Sequence, residues 1–101
     1  MTERLAATFN QGEDEQIIYS LTTTSWGSTP TSVSYKVYDV TGGDRSDVTS
    51  TTMTGSATVV GDIITLPALK SLTASKTYRV EVTFTSGGNV FEPYFIVNSE
   101  Y

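Results

Sequence analysis

Tyr78-Arg79-Val80-Glu81-Val82-Thr83-Phe84, then Ser86-Gly87-Gly88-Asn89, then Val90-Phe91-Glu92-Pro93-Tyr94-Phe95-Ile96-Val97, is the stretch that decides the fold. Its first part alternates apolar and polar residues strictly, the signature of a half-buried strand, since successive side chains of a strand point to opposite faces. The Gly-Gly step between two such runs is a hairpin signal. A two-residue loop at Gly87-Gly88 pairs Ser86 with Asn89 and sets Phe84 against Phe91, Val82 against Pro93, Val80 against Phe95 and Tyr78 against Val97. A four-residue loop keeps that register, whereas a three-residue loop exchanges the two faces. In the first two cases all eight residues point inward. The opposite face then carries Val90, Glu92, Tyr94 and Ile96 beside Thr85, Thr83, Glu81 and Arg79. Pro93 fits an edge strand, where its missing N–H costs nothing.

Working outward, similar signals recur at short intervals. Glu3 to Phe9 reads as a weak first strand, and Asn10-Gln11-Gly12-Glu13-Asp14-Glu15 as the turn after it. Ile17, Tyr19 and Leu21 alternate with polar residues, and Ile18 alone breaks the pattern. After a loop holding Trp26 and Pro30, Val33, Tyr35 and Val37 alternate again. From Ser46 to Val60 the chain is rich in Thr and Ser and is expected to hold one or two short strands, with Val48, Met53 and Val59-Val60 inward. Gly61-Asp62 is a turn and Asp62 to Leu66 a strand closed by Pro67. About seven short strands with turn signals between them predict an all-β sandwich spanning residues 1–101 as a single domain.

Composition bounds the rest. With 38% hydrophobic and 17% charged residues, the chain lies far from the signature of disorder. The net charge is −5 and the six Lys and Arg residues are scattered, so neither nucleic acid nor an anionic membrane is an expected partner. There is no apolar run of membrane-spanning length. The segment from Met1 to Thr8 lacks the apolar core of a signal peptide, which places folding in the cytoplasm as an expectation.

Cys and His are absent, which removes thiolate nucleophiles, imidazole bases and their metal sites. Lys70-Ser71 and Ser75-Lys76 stand in turn-like stretches, where nothing is expected to desolvate the Lys and activate it. Glu13-Asp14-Glu15 and Asp44-Arg45-Ser46-Asp47 offer oxygens for a hard cation, but neither has an EF-hand spacing and Arg45 opposes a cation in the second. The expectation is a non-enzymatic protein without cofactor or metal. Trp26 suits either a cap on the end of the core or a ligand-stacking ring.

Binding is the function left open. If the third strand neighbours the hairpin, Tyr38 and Lys36 join the face opposite the core. Tyr38, Arg79, Tyr94 and Ile96 are then the candidate protein interface, being residue types that anchor interfaces. Exposed apolar residues on a sheet are also ordinary, so the same residues fit a plain solvent face.

Two resemblances narrow the class. In Leu72-Thr73-Ala74-Ser75-Lys76-Thr77-Tyr78, a Leu six residues before a strand-opening Tyr resembles the tyrosine corner of immunoglobulin-like and fibronectin type III-like sandwiches. There the hydroxyl satisfies an upstream backbone group. Over the whole chain, Thr24-Ser25-Trp26-Gly27-Ser28-Thr29-Pro30, Tyr38-Asp39, Gly61-Asp62-Ile63-Ile64, Tyr78-Arg79-Val80-Glu81-Val82 and Gly88-Asn89-Val90-Phe91-Glu92 resemble the small standalone immunoglobulin-like proteins encoded among tail, neck and head genes of tailed bacteriophages and prophages. That resemblance implies a virion structural component, of adaptor, tail-associated or decoration type, made in the host cytoplasm. Its partners would be other virion proteins and copies of itself. The competing expectation is a carbohydrate- or protein-binding module of a bacterial surface or secreted protein.

Overall fold

The computed structural model describes residues 4–24, 29–43 and 45–100. Among them the elements run β1 (Arg4–Gly12), β2 (Ser20–Thr22), β3 (Thr31–Asp39), β4 (Ser46–Asp47), α1 (Thr49–Thr52), β5 (Thr58–Val60), β6 (Ile63–Thr65), β7 (Thr77–Ser86), β8 (Asn89–Phe91) and β9 (Pro93–Glu100). One sheet has the order β1-β9-β7-β3-β4, with β8 also paired to β7, and the other the order β2-β6-β5. The arrangement is all-β and sandwich-like.

The alternation of residues 78–84 becomes β7, in which every second residue from Tyr78 to Ser86 is buried. Gly87 and Gly88 both have positive φ, 58° and 84°, as a two-residue type I′ turn requires of its central residues. The register is the expected one: Ser86 opposes Asn89, Phe84 opposes Phe91, Val80 opposes Phe95 and Tyr78 opposes Val97. Phe84 and Phe91 stack with centroids 5.4 Å apart. Phe91 alone of the eight inward residues is only partly buried.

Between the sheets, Val37, Val80, Val82, Phe84 and Val97 of the larger sheet meet Leu21 and Ile64 of the smaller and Tyr19 just before β2. Met53, Leu66, Leu69 and Leu72 fill in from the connections. Each such side chain contributes roughly 1.5–3 kcal/mol of transfer free energy when fully buried. At one end Phe9, Tyr19 and Phe95 form a triangle of rings with centroids 4.9–5.7 Å apart, tying β1 to both sheets. Near the other connection, the Thr73 N–H donates to the Tyr78 hydroxyl at 2.8 Å, the upstream bond expected of that tyrosine.

Three expectations are corrected. The segment read as a turn from Asn10 is still strand as far as Gly12, running parallel to β9. Gln11 hides this, being a polar residue at a fully buried position. Its amide donates to the carbonyls of Leu69 and Glu15 at 2.8 and 2.9 Å and accepts from the Tyr19 hydroxyl at 2.9 Å, so burial leaves no group unpaired. Pro93 does not stand on an edge strand, because β9 lies between β1 and β7. It heads β9 just after the break at Glu92, where the first residue of a strand tolerates a missing N–H. Val59-Val60 is not an inward pair. The Gly61-Asp62 turn sets Val60 against Ile63 on the outside and Val59 against the buried Ile64 on an open edge, leaving Val60 76% exposed. The Thr-rich stretch holds the two short strands expected of it, β4 and β5, and buries Met53 as expected. Between the strands it adds the helical turn α1, whose Thr51 and Thr52 hydroxyls donate back to the Val48 carbonyl.

Candidate functional site

Because β3, β7 and β9 are neighbours, the pleat that buries Val37, Val80 and Phe95 turns the alternate residues to the other side of the sheet. The register aligns Tyr38, Arg79 and Ile96 in one row and Lys36, Glu81 and Tyr94 in the next. The four residues singled out from sequence, Tyr38, Arg79, Tyr94 and Ile96, therefore stand on one face. All four are half-buried.

Both tyrosines are covered by guanidinium groups. The Arg79 guanidinium lies over the Tyr94 ring, 3.8 Å from its centroid, and its Nε donates to Glu81 Oε2 at 2.7 Å. Arg45 mirrors this from the other side, 4.3 Å over the Tyr38 ring and 3.1 Å from the same Glu81 oxygen. One carboxylate thus clamps two guanidinium groups, and each guanidinium covers one tyrosine. Cations over aromatic faces at such distances attract by about 0.5–1 kcal/mol when exposed and more when desolvated. The side chains of Arg79 and Glu81 keep only 16% and 19% of their surface, so this is a set arrangement with reduced solvent screening. Chemically the face offers two flat, pre-ordered aromatic–guanidinium pairs, able to bury apolar surface and to donate hydrogen bonds.

Arg45 was overlooked in the sequence because it lies outside any alternating run, and Glu81 was placed on the face without a role. For Glu81 the signal is readable, since Arg79 and Glu81 two apart on a strand must share a face. For Arg45 there is none. It reaches Tyr38 only because β4 folds back on β3, pairing Tyr38 with Asp47.

The acidic groups have local partners. Asp47 accepts from the Thr49 N–H at 3.0 Å and hydroxyl at 2.7 Å and lies 3.4 Å from Lys36 Nζ. The Thr49 backbone and side-chain bonds chiefly hold its carboxyl below the usual range, with Lys36 adding to them. Partial burial pushes the Asp39 carboxyl up, but hydrogen bonds from Thr41 and Lys76, together with the Lys76 charge 3.3 Å away, outweigh it and bring it below the usual range. Burial, helped by the Glu15 charge, pushes the Tyr19 phenol up. Glu15 folds back to accept from the Gly12 N–H at 2.6 Å. Among the described residues no group of three or more acidic side chains converges as metal ligands would. Trp26 and Asp44 lie outside the described residues.

No family model matches this chain, and no curated protein matches it.

Proposed function

We propose that this is a non-enzymatic, immunoglobulin-like structural protein of a tailed phage or prophage virion, made in the host cytoplasm and working by protein–protein assembly. The observation that carries the reading is the paired Tyr38–Arg45 and Arg79–Tyr94 stacks held on Glu81. Tyr and Arg are the side chains that most often anchor interfaces, and holding them in place beforehand lowers the entropy lost on binding. The immunoglobulin-like assignment is supported by the strand order β1-β9-β7-β3-β4 over β2-β6-β5 and by the Tyr78 hydroxyl bond. The absence of Cys and His supports a role without catalysis.

The competing reading, a carbohydrate-binding module, draws less support. Such sites present free aromatic faces in a row, whereas Tyr38 and Tyr94 each carry a guanidinium and stand on strands separated by β7. The test is to purify particles of the phage or prophage that carries this gene, look for the chain by mass spectrometry, and titrate the protein against their isolated components. Incorporation, with binding weakened at least about tenfold by Arg79→Ala or Tyr94→Ala, supports the proposal. A chain absent from particles that binds glycans instead would replace it with the competing reading.

A further inference from the structure

The strands of the larger sheet differ in what holds them, and β1, at one end of it, is held almost without the core. In the middle, β7 supplies Tyr78, Val80, Val82 and Phe84 to the core. Among the described residues β1 supplies none. Of its described side chains Thr8, Phe9 and Asn10 are exposed, and Gln11 alone is fully buried. Its one strand neighbour is β9. Pairing there uses alternate residues. The Glu13 N–H donates to the Glu100 carbonyl and the Gly12 N–H turns away to Glu15 Oε1, so by alternation Phe9 and Gln11 also donate to β9. What Gln11 adds is bonding and not transfer of apolar surface: the Leu69 and Glu15 carbonyls and the Tyr19 hydroxyl are groups that water serves nearly as well. Phe9 adds one ring, 39% exposed, against Tyr19 and Phe95. Across the joint Ser99 stands opposite Gln11, and its buried hydroxyl has no partner among the described residues, a cost of the closed arrangement.

We infer that β1 is a strap, latched by Gln11, that lifts from β9 as a unit while the two sheets stay packed. Segments that bury little apolar surface open at free energies well below that of global unfolding. The lifting stops at Ile17, which is tied in both directions to Leu69 and leads into the buried Tyr19. Residues 13–16 therefore move with β1. Its removal turns a covered edge into an open one. The Ser99 N–H points inward along the sheet to Lys76, so the Asn98 and Glu100 N–H groups alternate with it and face β1. With the strap lifted they stand unpaired beside the Phe95 and Tyr19 rings, the arrangement that strand addition requires. In the closed form β1 guards that edge. The far end of the sheet is fastened differently: Val37 bonds to Val48 and Thr49, and the same segment sinks Met53 into the core, so it has no comparable freedom to lift.

This strap is independent of the assembly reading, and native-state hydrogen exchange on the whole chain tests it. The Phe9, Gln11 and Glu13 amides should exchange at least about a hundredfold faster than those of Val80 and Glu81 in β7. Urea below the unfolding transition should speed exchange in β7 and leave β1 unchanged, because a local opening exposes little surface. Val82→Ala, at a fully buried core position, should speed β7 about tenfold or more and again leave β1 as it was, since the core is intact whether the strap is closed or lifted. Gln11→Ala should speed the Phe9 and Glu13 amides about tenfold or more, whereas Asn10→Ala, exposed on the same strand, should not. Amides of β1 that exchange as slowly as those of β7, that follow β7 in urea or in Val82→Ala, or that ignore Gln11→Ala would overturn the inference.

Discussion

The two outer faces of the sandwich are built on opposite plans. On the larger sheet the outward side chains partner one another: Arg45, Glu81 and Arg79 form an ion cluster, Tyr38 and Tyr94 lie beneath the guanidinium groups, and Lys36 reaches Asp47. On the smaller sheet Ser20, Thr22, Thr58, Val60, Ile63 and Thr65 share the outward side by register, and none carries a charge. Val60 is 76% exposed and Ile63 44%. The difference teaches that exposed hydrophobicity and pre-ordered aromatic–polar contacts fall on opposite faces of this sandwich. The more apolar face sets Val60 and Ile63 side by side in the open, while the charged face has its rings half hidden and its polar groups already ordered.

Breaking the layer the two faces share should have the largest effect. Phe84→Ala, at a fully buried position, is expected to cost about 3–5 kcal/mol in a denaturant titration, and to loosen both faces together. Tyr78→Phe removes only a hydroxyl and the bond it accepts from the Thr73 N–H, which should cost about 0.5–1.5 kcal/mol while the sheets stay packed. Glu81→Ala then separates the faces. It should lower stability by about 1 kcal/mol, less at high salt, and double-mutant cycles with Arg45→Ala and Arg79→Ala should show coupling for both arginines. Val60→Thr on the smaller sheet should stay within about 0.5 kcal/mol of the parent. A Val60 effect as large as that of Glu81 would abolish the contrast.

Two carboxyls of the larger sheet, Asp47 on the charged face and Asp39 on the alternate side of β3, should also make stability answer to pH. Asp39 and Asp47 both have lowered folded-state values, so the folded state binds fewer protons than the unfolded one in the acid range. Their contribution is complete above the ordinary carboxylate value and fades as pH falls through the lowered ones, with the loss setting in below about pH 4. Thermal midpoints measured from pH 7 to pH 2 should fall in that window. The fall should be shallower in Asp39→Asn/Asp47→Asn, since both carboxyls then stop titrating.

How much was legible from sequence depended on how local the deciding interaction is. The β7–β9 hairpin was readable to the residue because alternation and two glycines fix which side chains oppose which across a short loop. Tyr78 was readable because its partner, Thr73, is five residues away. Residues 46–60 were readable only in part: the two short strands and the inward Met53 were, the turn α1 and the outward Val60 were not. Thr and Ser suit strands, turns and short helices about equally, and α1 is held by hydroxyls turned back on Val48 and by Met53 sunk in a core made elsewhere. Gln11 misled for the same reason: its three partners come from Glu15, Tyr19 and Leu69, the last of them 58 residues away.

The sequence by itself therefore determined the class of the fold, the hairpin's register and the face shared by Arg79, Tyr94 and Ile96. These follow from a side-chain period of two and from turns that close over two residues. Tertiary structure alone decided that β1 runs parallel to β9, that Tyr38 joins the hairpin's outer face through β3, and that Arg45 and Arg79 converge on one carboxylate. Each depends on which strands become neighbours, a choice made by burial of the whole core and carried by no single segment.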